Sequence, residues 1–179
     1  MKEWRTISET VMFDAQPYVR VTKQAVEIGD GRIIEDFYQV RLSPFVITVP
    51  VLENGRVLMI RQYKHGPGRV SLTFPAGFRE EGEVPLAACS RELLEETGLV
   101  AHEAEHLGEF VDNGNQGGSV GNYFVHRGCR RVREPASGDL EEMELVEMGV
   151  GEVDGAVFDG GIAIAHHAAV WSLARLKGL

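Results

Sequence analysis

The sequence predicts an α+β fold: a mixed central sheet, helices segregated against it, and an antiparallel β extension at the N-terminus. Three observations predict it. Strand-like runs fill residues 1–44 and recur from residue 45; a helical segment from Pro85 to Thr97 follows a glycine-containing loop; and further strand-like runs then give way to two helical segments at the C-terminus. Strands in runs with helices set apart from them bury their apolar faces as layered α+β or α/β/α arrangements.

In the first part, Val19, Val21, Ala25, Val26 and Ile28 lead into Gly29-Asp30-Gly31, and Ile33, Ile34, Phe37 and Val40 follow. Asp-Gly between two such runs is a hairpin signal. Residues 1–44 are therefore expected to form a small β extension, with strand edges that a second copy would cover in a homodimer. Residues 45–179 form the remaining domain.

That domain opens on a second hairpin. Phe45 to Leu52 and Val57 to Gln62 flank Asn54-Gly55, a pair suited to a two-residue turn with both φ positive. The flanks are rich in Val, Ile and Leu, as buried strands are. His65-Gly66-Pro67-Gly68 reads as a loop, and Ser71 to Pro75 as a short strand delivering Gly77 to the helix.

From Gly77 to Leu99 the chain reads GFREEGEVPLAACSRELLEETGL. Pro85 suits a first helical turn and Gly98 the left-handed position past a helix end. Leu86, Ala87, Ser90, Leu93 and Leu94 recur at helical spacing as one apolar side. Glu92, Glu95 and Glu96 fall together on the other, within about 5–6 Å of one another, with Ala88 leaving that face uncrowded. Three carboxylates so placed are either a solvated face or a seat for a hard divalent cation. Mg²⁺ takes oxygen ligands and shares them between carboxylates and a substrate's phosphates. Arg91 can reach Glu95 at i+4, Glu83 can fold back from the preceding loop, and Phe74-Pro75-Ala76-Gly77 brings backbone carbonyls close to the same place. Loop and helix together describe a site.

Beyond it, His106 to Val111 and Gly121 to His126 read as strands. Asp112 to Ser119 between them is polar and glycine-rich, either a loop over an active site or a long turn. Residues 130–139 read as a charged loop, Met143 to Met148 as a strand, and Val150 to Phe158 as a short helix. A last helix from Ile162 to Leu176 carries an apolar stripe of Ile162, Ala165, Ala169, Leu173 and Leu176. His65 and His126 read as loop and strand-end residues, and His166-His167 as part of that helix.

Composition narrows the functions. The chain of 179 residues is 44% hydrophobic and 25% charged, as ordinary globular domains are. A net charge of −9 argues against unassisted binding to nucleic acid. Cys89 and Cys129 are too few for a disulfide framework and are expected as free thiols, Cys89 packing the helix. With no signal-like N-terminus and no membrane-length apolar run, a cytoplasmic protein without membrane contact is expected.

The stretch from Gly77 to Leu99 resembles the Nudix box. That box is a glycine, five residues, a glutamate, seven residues, then arginine, glutamate, an aliphatic, any residue, two glutamates, any residue, glycine and an aliphatic. All nine specified positions match without a gap, which is far more specific than a lone glycine motif. The resemblance implies a Nudix-type α/β/α sandwich and Mg²⁺-dependent, or Mn²⁺-dependent, hydrolysis of a diphosphate linkage in a nucleoside-diphosphate-linked small molecule. It implies Glu92 and Glu96 as principal metal ligands, Glu95 joining when further metals bind, and the Ala76 carbonyl before Gly77 as a backbone ligand. Arg91 would orient the glutamates and Glu83 support the metal shell. The requirement is physical: diphosphate hydrolysis needs charge neutralised and a water aimed at phosphorus.

Within the family the chain is most similar to the ADP-ribose pyrophosphatase branch. The shared features are a dimerising β extension, a strand ending like Arg61-Gln62-Tyr63-Lys64, the Phe-Pro-Ala-Gly loop and a C-terminal helix pair. Arg61 and Lys64 are candidate contacts to substrate, beside Gly77, or else surface cations. The chain departs from that branch in two places. Gly117 to Phe124 lacks the glutamate that serves there as general base, leaving Asp112, Glu141, Glu142 and Glu144, or Glu95 and Glu83, to be weighed. Gly114-Asn115 stands where many ADP-ribose hydrolases have proline, so other nucleotide sugars and dinucleotides stay open.

Three other readings are weaker. His102 to His106 matches a zinc-protease pattern, but that pattern needs a sustained helix and a third ligand. A nucleotide-sensing module has no need of every box glutamate. An RNA-end hydrolase is disfavoured by the acidic charge.

Overall fold

The computed structural model describes residues 2–138 and 142–179. It divides into two compact units. One comprises the residues up to Pro44 with Phe110–Gly121, and the other Phe45–Glu109 with Asn122–Leu179.

In the first unit, strands β1 (Arg5–Ala15), β2 (Val19–Glu27) and β3 (Ile33–Leu42) form an antiparallel meander, and Gly117 and Gly118 pair in parallel with Val40 and Arg41 of β3. The expected loop from Asp112 to Ser119 is instead a tight turn. β9 (Glu103–Asn113) and β10 (Gly117–Arg131) run almost into each other across it. The Asn113 carboxamide oxygen accepts from the Asn115 and Gln116 N–H groups at 2.9 and 2.8 Å, closing the turn from its own side chain. Asp112 is thereby a strand residue.

The second unit holds β4 (Phe45–Leu52), β5 (Val57–Lys64), β6 (Arg69–Thr73), β7 (Ala76–Phe78), helix α1 (Pro85–Thr97), β8 (Leu99–Val100), β11 (Met143–Met148), α2 (Val150–Phe158) and α3 (Ala165–Leu176), with parts of β9 and β10. Alternation along β4 and β5 sets its layers. Ile47, Val49, Val57 and Met59 pack with Val153, Val170 and Trp171 of α2 and α3. Val46 and Leu58 point the other way, to Ala88, Cys89 and Leu93 of α1. One helix on one face and two on the other make the α/β/α sandwich.

Several boundaries differ from those the sequence suggested. The turn after β4 is a three-residue loop, because the Leu52 N–H donates to the Arg56 carbonyl and only Gly55 has positive φ, at 78°. Asn54 instead turns its side chain to the Arg56 N–H at 2.9 Å. The strand expected from Ser71 to Pro75 runs instead from Arg69 to Thr73 as β6 on β5, and after Phe74-Pro75 a separate strand, β7, pairs with β4 from Ala76. Arg130 and Arg131 pair with β8 rather than lying in a loop. α3 begins at Ala165 and buries His167, Val170, Trp171 and Ala174, while Ala165 and Ala169 face solvent. Trp171 has the largest apolar area on the helix and so decides which stripe turns inward. His126, expected at a strand end, sits buried within β10.

α1 departs in the same way. Its buried residues are Ala88, Cys89, Leu93, Glu96 and Thr97, with Leu86, Ala87 and Ser90 outward. The helix thus lies with one edge of its acidic face against the sheet. Small residues at 88 and 89 permit the close approach.

Candidate active site

β4 and β5 meet at their hairpin end, where Val51 pairs with Val57, and then diverge. β6 and β7 fill the opening, β6 on β5 through Thr73 and β7 on β4 from Ala76. Phe74-Pro75 therefore lies in a fork. The Thr48 N–H donates to the Pro75 carbonyl at 3.0 Å, and the register continues as Ile47 opposite Ala76 and Val46 opposite Gly77. In an antiparallel ladder bonded and non-bonded pairs alternate. Ala76 thus turns both its N–H and its carbonyl away from β4. The Ala76 N–H finds the Glu96 carboxylate at 3.0 Å.

Arg91 organises the rest. Its guanidinium grips Glu83 with two bonds of 3.0 Å, and Nη1 donates to Glu92 at 2.7 Å and Glu95 at 3.2 Å. Nη2 also reaches the Phe78 carbonyl at the end of β7, at 3.2 Å. The Glu83 carboxylate takes a further bond from the Glu80 N–H. These bonds favour the ionised forms: Glu83 is held below the usual carboxylate range, first by Arg91, and Arg91 is held still more basic, first by Glu83. Gly77 completes the contact of strand and helix. A Cβ there would stand 2.1–2.3 Å from the carboxyl atoms of Glu92, so no larger residue fits beside that side chain as it lies.

The structure therefore brings together Ala76, Gly77, Glu83, Arg91, Glu92, Glu95 and Glu96. Among the described residues, no three acidic, histidine or cysteine side chains already surround one point as they would a metal ion. Arg91 holds the charge of Glu83, Glu92 and Glu95 instead. The donor set is nonetheless hard oxygen throughout: carboxylates on one helix edge beside a carbonyl turned out of its ladder. Such a set suits a hard divalent cation, for which Glu92 and Glu95 would turn from Arg91.

Arg61 and Lys64 lie elsewhere on β5. Arg61 pairs with Glu144 of β11 at 2.8 Å, and both line a cavity of about 580 Å³ with Tyr63, Val70 and Glu142. Lys64 stands near His167. Of the residues weighed as a general base, Asp112 belongs to the first unit, Glu144 is engaged by Arg61, and Glu141 lies outside the described residues. Residues 103–106 are strand rather than helix, which removes the zinc-protease reading.

Two histidines that the sequence left bland prove to be wired into the site's supports. His126 shares a 2.7 Å hydrogen bond between Nδ1 and the Thr48 hydroxyl, and burial lowers its pKa to about 4. His167 accepts the Phe74 N–H at 2.9 Å. Thr48 thus touches the fork with its backbone and β10 with its side chain.

Comparison with known proteins agrees with this geometry. Residues 43–158 match the family described as the NUDIX domain. The chain is 29% identical to an ADP-sugar pyrophosphatase of Mus musculus, over 68% of this chain and 66% of that one. It is 25% identical to an ADP-ribose pyrophosphatase of Bacillus subtilis, over 82% and 77%. A methanol dehydrogenase activator of Bacillus methanolicus is 26% identical, over 84% and 80%. In fold, the crystal structure of an ADP compounds hydrolase superposes with a TM-score of 0.82 at 21% identity, covering 99% of this chain and 96% of that one. The domain match spans well over half the chain and contains the fork, the loop and the acidic helix together, so the chain belongs to the Nudix family.

Proposed function

We infer that this Nudix chain is a pyrophosphohydrolase acting on ADP-ribose or a related nucleotide sugar, with Mg²⁺, or Mn²⁺ in its place, as cofactor. The observation that carries the reading is the Arg91 hub, which gathers Glu83, Glu92 and Glu95 beside Glu96 and the outward-turned Ala76 peptide. Similarity to proteins named ADP-ribose and ADP-sugar pyrophosphatase supports the substrate class.

Glu92, Glu96 and the Ala76 carbonyl would hold the metal, with Glu95 joining only when further metals bind. When bound, it neutralises charge on the diphosphate and makes a water more acidic. Arg91 orients the carboxylates and favours the ionised form of Glu83. Glu83 is poorly suited to take a proton, since three donors to its carboxylate make it a weaker base than usual. Glu95, held by a single 3.2 Å bond and about a third exposed, is the better candidate to accept the water's proton. The cavity beside Arg61 and Tyr63 offers a cation and an aromatic ring to a nucleotide.

The exposed Trp4, Ile7, Val11, Met12, Phe13 and Tyr18 of the first unit support a homodimer. The two buried, unpaired thiols support a cytoplasmic setting. Among the described residues no helix is long and apolar enough to cross a membrane.

The test is a turnover panel with Mg²⁺, covering ADP-ribose, other nucleotide sugars, dinucleotides and nucleoside triphosphates, read by mass spectrometry. AMP and ribose 5-phosphate from ADP-ribose at a dominant kcat/KM is the expected result. Silence on every nucleotide sugar, from folded protein, overturns the reading. A monomer mass by light scattering at micromolar concentration overturns the dimer.

A further inference from the structure

The Phe74 N–H lies where the chain changes partners. β6 leaves β5 after Thr73 pairs with Ile60, and the bond to β4 resumes only at the Pro75 carbonyl. Pro75 has no N–H, and Phe74 is buried. Neither neighbouring strand receives the Phe74 N–H, and a buried donor without an acceptor is costly. His167 of α3 supplies that acceptor at 2.9 Å, and its ring stacks on Phe74 at 6.3 Å and 24°.

Orientation at this point is passed on stiffly. The residue before a proline is restricted to extended conformations, and the proline's own φ is fixed near −65°. Between Phe74 and the Ala76 peptide the backbone has little freedom left. From the other face of the sheet, Glu96 of α1 accepts the Ala76 N–H. The loop is thus gripped by one helix on each side.

We propose that His167 is a positioning residue for the metal loop: by holding the Phe74 N–H it fixes the fork and, through Pro75, the direction in which the Ala76 carbonyl points. The inference rests on the reading of Ala76 as a metal ligand. An acceptor at Nδ1 requires the neutral ring with its proton on Nε2, and burial, then His166 and Lys64, hold the His167 pKa well below the ordinary imidazole value.

Three variants separate positioning from packing. Asparagine at 167 places an acceptor where Nδ1 stands, glutamine carries one a bond further out, and leucine fills the space with none. Mn²⁺ binding by EPR would be measured for wild type, His167→Asn, His167→Gln and His167→Leu, with amide exchange over residues 74–78 and thermal unfolding. Weakening of Mn²⁺ binding by roughly tenfold or more is expected for Leu and Gln, with faster Ala76 exchange and near-wild-type behaviour for Asn. Wild-type Mn²⁺ affinity in the Leu and Gln variants, whatever their Tm, overturns the proposal. Should the Leu variant not fold, equal affinities for Asn and Gln overturn it. A wild-type chain that binds no Mn²⁺ overturns the metal reading itself. The Ala76 exchange rate then decides the positioning role, and an unchanged rate in the Gln variant refutes it.

Discussion

The carboxyl carbon of Glu92 lies 2.1 Å from the point where a side chain on residue 77 would begin, so Gly77 and Glu92 occupy one space between strand and helix. Gly77→Ala must push the carboxylate aside, and the flexible glutamate yields before the strand does. The cost in stability is expected to be modest, about 1–3 kcal/mol, while the 2.7 Å bond from Arg91 to Glu92 is lost. Urea unfolding and kcat with Mg²⁺ would show a folded enzyme with strongly reduced turnover. Wild-type turnover would mean that Glu92's seat is not used.

Arg91 stands in for a cation toward three carboxylates, and its removal should expose their repulsion. Arg91→Ala is expected to cost roughly 1–3 kcal/mol at low ionic strength, since the groups are only partly buried. Added Mg²⁺ should raise its Tm by more than it raises the wild-type Tm, because the variant's carboxylates have lost their internal counter-charge. Equal Mg²⁺ shifts in the two proteins would argue against a shared site.

Glu96→Gln keeps an oxygen able to accept the Ala76 N–H and removes only the charge. Folding should survive. Turnover should fall on the order of 10²-fold or more while nucleotide binding persists. A variant matching wild type in kcat would exclude Glu96 as a metal ligand.

His126 makes a prediction about pH. Its folded pKa of about 4 lies below the unfolded value, so between the two the unfolded chain binds the extra proton. Stability from this group is complete above the ordinary imidazole pKa and is lost as pH falls toward 4. Between pH 7 and pH 5 the loss should be roughly 2 kcal/mol, with His167 adding in the same direction. Urea unfolding at the two values, with and without His126→Gln, tests this. An unchanged pH dependence in the variant would refute it.

The centre of the candidate site is legible in the sequence because its parts are local. Glu92, Glu95 and Glu96 share a helix with Arg91, so spacing alone brings them together, and Gly77 and Glu83 belong to the same continuous run. What spacing could not show were the long-range pairs: Phe74 with His167, 93 residues apart, and Thr48 with His126, 78 apart. No periodicity links such positions. The inward side of α1 was misjudged for a related reason. Apolar counting favours Leu86 and Leu94, whereas the helix buries Glu96 and Thr97, whose polar atoms find partners in the Ala76 N–H and the Leu93 carbonyl. In α3, alanines make two apolar stripes equally plausible, and only the bulk of Trp171 chooses between them.

The ladder at Ile47 and Ala76 carries a consequence for how such a site can change over generations. The oxygen that Ala76 turns outward is main chain and is present whatever side chain occupies position 76. Mutation cannot delete it, only redirect it. Inheritance of this proposed ligand is therefore written in other residues: in Pro75, in the missing side chain of residue 77, and in the acceptors offered by Glu96 and His167. A descendant could lose the proposed metal loop without altering any residue proposed to touch the metal.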